Sequence, residues 1–205
     1  MLALIEQITA SLNDYAPGHV REARRVLLRI YRDTRFASDK SPYKQHLAAW
    51  WGLPGAEKTS GAGFYLHLSA DELMVAAGLF MPTKEQLRSV RLALVDQHEQ
   101  WSALLEVPEL RRHFAPHDSL ALTRMPKGFA AKQPGTDEHP AAEWIRARQW
   151  GVFASLPIET ALKPELASTL DQHFRLASPL VDFLDCAIAL SQPRPRSPLT
   201  RSRFF

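Results

Sequence analysis

The chain has 205 residues, 45% hydrophobic, 23% charged and 9% aromatic, which suits a folded globular domain and excludes disordered, collagen-like and coiled-coil classes. A single cysteine excludes an internal disulfide framework and a cysteine-only zinc site. The net charge of +3 is unevenly spread: residues 19–46 carry Arg21, Arg24, Arg25, Arg29, Arg32, Arg35, Lys40 and Lys44 against Glu22, Asp33 and Asp39, and residues 191–205 add four arginines and no acid. The remainder is mildly acidic, which is not the uniform basic face of a dedicated duplex-DNA binder. No apolar run reaches the ~20 residues of a bilayer span. Residues 1–12 carry Glu6 and no basic leader, so a cytoplasmic protein without membrane insertion is expected.

Leu2, Ile5, Ile8 and Leu12 recur at helical spacing, and Asn13, Pro17 and Gly18 supply a stop. Residues 27–36 change to a two-residue period, the pattern of a strand. A loop over 37–42 precedes a short apolar piece at 47–51, and 52–63 is a glycine-rich loop. Residues 63–68 and 73–80 read as neighbouring strands. Thr83 followed by Gln86 forms a capping box, after which Leu87, Val90, Leu94, Trp101 and Leu105 keep one face of a long helix apolar. Further strands are expected at 120–124 and 149–156, with a short helix over 139–147 between them. Residues 164–174 and 179–190 read as two helices, each opened by a proline. The predicted fold class is therefore α+β: a single domain over 1–190 with a mainly antiparallel sheet and several helices, then a flexible basic tail over 191–205.

The chemistry centres on residues 29–46. Strand alternation puts Arg32 beside Leu28, Ile30 and Phe36, where a guanidinium needs a carboxylate or a bound anion. Arg29, Asp33 and Arg35 then share the other side in steps of about 7 Å, and Lys40, Tyr43, Lys44 and His46 add donors at the same end. The functional reading is an anion pocket; the structural one is an Arg–Asp lattice that pins the loop to the sheet.

The run Arg29-Ile-Tyr-Arg32-Asp33-Thr-Arg35-Phe36-Ala-Ser-Asp39-Lys40-Ser-Pro42-Tyr43-Lys44-Gln-His46 resembles the R-x-x-R-D-x-R-F-x-x-D-K-x-P-Y-K-x-H signature of the domain of unknown function 2461 family, a group of bacterial and fungal proteins. Gly63-Phe64-Tyr65-Leu66-His67, residues 77–82, Arg124-Met-Pro126-Lys127-Gly128-Phe129 and His139-Pro140 extend the similarity over roughly residues 20–190. The resemblance implies a shared fold and a shared basic motif, and it transfers no reaction and no cofactor.

His46, His67, His98, His113, His117, His139 and His173 are scattered without a zinc-binding pattern, so no metal site is predicted. Pro116 separates His113 from His117. Tyr65 and His67 share a strand face beside the basic segment. Arg124 and Lys127 stand at a turn allowed by Gly128, a second anion contact or a surface turn. Cys186 reads as a packing residue. The five tryptophans, including Trp50 and Trp51 after the basic loop, read as core packing rather than a base-stacking platform.

Three functions follow. The first is a binding module for an anionic ligand, a phosphorylated small molecule or a single-stranded nucleic acid, held by Arg29, Arg32, Arg35, Lys40, Tyr43, Lys44, His46, Arg124 and Lys127. The second is a hydrolase or transferase acting on such a ligand, with Asp33 or His67 as general base. The third is a structural or protein-interaction domain in which the Arg–Asp cluster is an internal lattice.

Overall fold

Apolar residues at every second position build the sheet. In the computed structural model, which describes residues 1–32, 35, 40–54, 60–116, 121–129 and 139–190, they form β1 (His46–Gly52), β2 (Gly63–Ser69) and β3 (Leu73–Leu79). The short β4 (Ala115–Pro116) and β5 (Trp150–Leu156) complete a sheet of order β1-β2-β3-β5-β4, antiparallel throughout. One face presents Trp51, Phe64, Leu66, Val75, Ala77, Trp150 and Val152 to the helices, all buried. By alternation, the second face carries His46, Ala48, Trp50, Tyr65, His67, Met74 and Ala76. The register aligns Gly52, Gly63, Gly78 and Gly151 across four strands. A Cβ on Gly78, at φ +144°, would stand 2.2 Å from the Trp150 carbonyl oxygen, so only glycine fits there.

The helices are α1 (Leu2–Tyr15), α2 (Ala23–Val26), α3 (Lys84–Leu105), α4 (Pro108–His113), α5 (Ala142–Arg146) and α6 (Leu166–Ala189). α6 lies on β3, with α1 and α3 packed along it. Its Phe174 meets Trp51 and Phe64 at centroid distances of 5.4 and 5.2 Å, and Phe183 meets Trp101 at 5.2 Å. Burying each such ring contributes about 1.5–3 kcal/mol. The α3 capping box forms as predicted: Gln86 N donates to Thr83 Oγ1 at 3.2 Å and Thr83 N to Gln86 Oε1 at 2.8 Å. The helix continues to Leu105 through a kink at Gln97.

Three expectations are corrected. The two helices over 164–174 and 179–190 are one, α6, with Pro179 inside it. Proline removes the N–H that would bond the Arg175 carbonyl, and Ser178 Oγ donates to that oxygen instead, at 3.0 Å. Residues 121–124 form no strand; Leu122 N donates to the Arg146 carbonyl at 2.8 Å. Residues 27–32 are not a continuous strand either. Leu27 bridges Ala49 and Tyr31 bridges Tyr43, but more residues separate 43 from 49 than 27 from 31, so the ladder breaks between the bridges. Among the described residues no helix is long and apolar enough to cross a membrane. Residues 191–205, including the predicted tail, lie outside the described residues.

Candidate functional site

Residues 28–32 and 42–45 run antiparallel beyond the end of β1 as an arm. Leu28 N donates to Ala48 O at 2.8 Å, Lys44 N to Ile30 O at 2.8 Å and Arg32 N to Pro42 O at 3.0 Å. Strand alternation leaves Ile30, Arg32 and Lys44 on one face, continuous with the second face of the sheet, and Arg29, Tyr31 and Tyr43 on the other. Arg29, Ile30, Tyr31, Arg32, Tyr43 and Lys44 are all exposed. Arg32 therefore does not sit on a buried apolar face as its spacing predicts: Ile30 beside it is 38% exposed, and among the described residues no helix covers the arm to make that face a core. Arg32 Nη1 donates to Ser41 Oγ at 3.2 Å.

Where the arm meets the sheet, four polar side chains converge. His46 of β1 stacks on His67 of β2 with centroids 4.4 Å apart and rings inclined by 30°. Tyr65 stands two residues from His67 on the same face, its hydroxyl 3.4 Å from His67 Nδ1, and His67 Nε2 lies 3.5 Å from Glu72 Oε2. The β2–β3 turn places that carboxylate, because Ser69 Oγ accepts from the N–H groups of Asp71 and Glu72 at 3.2 and 3.0 Å. Partial burial pushes the His46 pKa below its ordinary value, and the His67 ring, Lys44 and Arg32 add to the shift against an opposing pull from Glu72. Burial, with Glu72, pushes the Tyr65 pKa up. Tyr65 thus stays a neutral donor and His46 is biased to the neutral ring.

A family model described as conserved hypothetical protein (DUF2461) matches residues 1–183. The chain belongs to this domain of unknown function 2461 family. The match starts ahead of residue 20, where the motif resemblance begins, so α1 is part of the family domain. No curated protein and no solved structure matches the chain.

The described part of the family signature lies on the arm and at its junction with the sheet. Arg32, Lys44 and His46 share one face, and both cations act electrostatically on His46. Arg35 and Lys40 are exposed. Asp33, proposed as a base, lies outside the described residues. The DUF2461-like segment Arg124–Phe129 is a turn: Phe129 N donates to Pro126 O at 3.0 Å with Gly128 at φ +91°, as the glycine predicts. Arg124 and Lys127 are exposed on it, and no described contact joins them to the arm. His139 is architectural, since its Nδ1 accepts from Ala141 N at 3.0 Å and its carbonyl from Ala142 N at 2.7 Å at the start of α5. Cys186, expected in the core, is exposed on α6.

Sequence reasoning missed two polar groups whose partners lie far along the chain. His19, 2% exposed, donates from Nδ1 to Trp51 O at 3.0 Å and from Nε2 to Asp185 Oδ2 at 2.8 Å, which ties the turn after α1 to β1 and α6. Arg91 is buried in α3 and donates from Nη2 to Ala147 O at 3.0 Å, capping α5. His173 Nδ1 donates to Thr169 O at 2.7 Å, and burial pushes its pKa down, aided by His113 and opposed by that bond. Neither His19 nor Arg91 stands in a local pattern that names its partner. Among the described residues no three His, Cys, Asp or Glu side chains converge as metal ligands.

Proposed function

We propose that this domain is a binding module for an anionic, phosphate-bearing ligand, held where the arm joins the second face of the sheet. The observation that carries the reading is that the exposed cations Arg32 and Lys44 lie on the same face as His46 where the arm meets the sheet, and both push its pKa down. A phosphate placed among them receives charge-assisted hydrogen bonds from the guanidinium and the ammonium, the strongest class of neutral-water hydrogen bonds a surface offers. A neutral His46 supplies a further N–H. His67 has its two nitrogens facing Tyr65 and Glu72, so it serves chiefly to hold the His46 ring by stacking.

The test is a thermal-shift screen of the protein and of Arg32→Gln and Lys44→Gln against inorganic phosphate, pyrophosphate, tripolyphosphate and dicarboxylates at low salt. A ligand at ~100 times its Kd adds about 2.7 kcal/mol, a shift of roughly 5–11 °C for a chain of this size. Hydrogen bonds to charged groups are worth about 1.5–3 kcal/mol, so either substitution weakens binding roughly 10- to 150-fold while leaving the unliganded midpoint in place. Phosphates that shift the variants as strongly as the parent refute the site.

A second reading rests on the line Glu72–His67–Tyr65. A histidine between a carboxylate and a hydroxyl is an acid–base arrangement, and an enzyme acting on the bound ligand would use His67 as base and Tyr65 as donor. Turnover of a phosphate ester that is lost in His67→Gln, with binding retained, selects this reading over simple binding.

A further inference from the structure

The arm carries a feature that phosphate binding does not use. Tyr31 and Tyr43 face each other across it as a bridged pair, ring centroids 5.4 Å apart and inclined by 38°. They are 56% and 53% exposed. Arg29 shares their face by alternation, and Arg32 and Lys44 stand one residue beyond each ring on the opposite face. An aromatic pair exposed between cations is the arrangement that holds unpaired bases on ring faces and phosphates on ammonium and guanidinium groups.

Geometry favours an extended ligand over a compact one. Small phosphorylated molecules are held in concave sites that bury most of their surface, whereas every residue in 29–32 and 42–45 is exposed. Such a surface gains affinity by spreading contacts along a chain. Duplex DNA keeps its bases stacked on each other, so its bases are not available to two tyrosine rings. Resting on the anion-binding reading above, we infer that the ligand of this arm is single-stranded nucleic acid, with Tyr31 and Tyr43 stacking bases and Arg29, Arg32 and Lys44 contacting the backbone.

The experiment is fluorescence anisotropy of a labelled dT12 oligonucleotide with the full chain at several salt concentrations. The same label on a dT12·dA12 duplex and vesicles containing anionic phospholipid serve as competing probes. Binding to the single strand is expected to be stronger than to the duplex or the vesicles. Three backbone contacts give a slope of log K on log salt of about −2, and Arg32→Gln or Lys44→Gln each reduces it by about 0.7. Stacking on a ring corresponds to roughly 5- to 150-fold per base. Tyr31→Ala and Tyr43→Ala should each lose that much, while Tyr31→Phe and Tyr43→Phe retain binding because the ring face is kept. If tripolyphosphate binds in an Arg32- and Lys44-dependent way but the alanine variants hold dT12 as tightly as the parent, the nucleic-acid inference is overturned and the anion site stands. Preference for duplex or vesicles also overturns it. If neither tripolyphosphate nor dT12 binds, both readings fall together.

Discussion

Replacing His19 tests how the fold behind the site is held. The imidazole is 2% exposed and faces two acceptors, the Trp51 carbonyl at 3.0 Å and Asp185 Oδ2 at 2.8 Å. Both ring nitrogens donate when both bonds are made. Asp185 Oδ1 is already buried without a hydrogen-bond partner, so His19→Ala leaves the whole carboxylate and the strand carbonyl without their histidine. Breaking a buried pair by removing one partner costs about 3–5 kcal/mol. The Asp185 side chain is 18% exposed, which gives water some access and favours the lower end. At roughly 2–4 °C per kcal/mol for a chain of this length, the midpoint falls by about 6–12 °C. Urea unfolding at pH 7.5, followed by tryptophan fluorescence and far-ultraviolet circular dichroism, measures the loss. Asp185→Asn keeps an acceptor for Nε2 and should cost less than His19→Ala. A His19→Ala loss under about 1 kcal/mol, or a His19→Ala/Asp185→Ala cycle with no coupling, refutes the reasoning.

Three further outcomes are expected. In proton NMR the His46 ring titrates with a midpoint below 6.5, and the shift is reduced in a Lys44→Gln/Arg32→Gln variant because both cations depress it. A group whose folded pKa is depressed costs stability as pH falls from its unfolded value towards its folded one, so His46 destabilises the free protein below pH 6.5. A bound phosphate reverses the sign by raising that midpoint, and its affinity should climb as pH drops through the same window; affinity that falls instead would sink the proposed contact. Gly78→Ala must place a Cβ 2.2 Å from the Trp150 oxygen at φ +144°, and a loss of about 3 kcal/mol or more is expected from strain and clash, read by urea unfolding. Thr83→Ala removes the acceptor for Gln86 N and should cost about 1 kcal/mol, with α3 still helical by circular dichroism.

Local patterns were enough for the elements whose stability is set locally or by one buried face. Thr83 and Gln86 mark the start of α3 because a capping box is built within four residues. The alternation in Gly63–Ser69 and Trp150–Leu156 survives because one face of each strand meets the helices. The same alternation in residues 27–32 failed as a guide, since Ile30 and Arg32 lie on an exposed arm whose ladder to β1 breaks between the Leu27 and Tyr31 bridges. Pro179 looked like a helix start when its cost is offset by Ser178 and by packing of both halves of α6.

By itself the sequence determined an α+β domain of the domain of unknown function 2461 family, a basic motif at residues 29–46 and the Tyr65–His67 pairing on one strand face. Tertiary structure alone decided that His46 stacks on His67, that Glu72 closes behind them, and that Arg32 and Lys44 share their side while Arg124 and Lys127 have no described contact there. It also decided the partners of His19 and Arg91. The physical reason is range: periodicity and capping act over a few residues, whereas a side chain's charge environment is set by whichever distant segment the sheet register and helix packing bring against it.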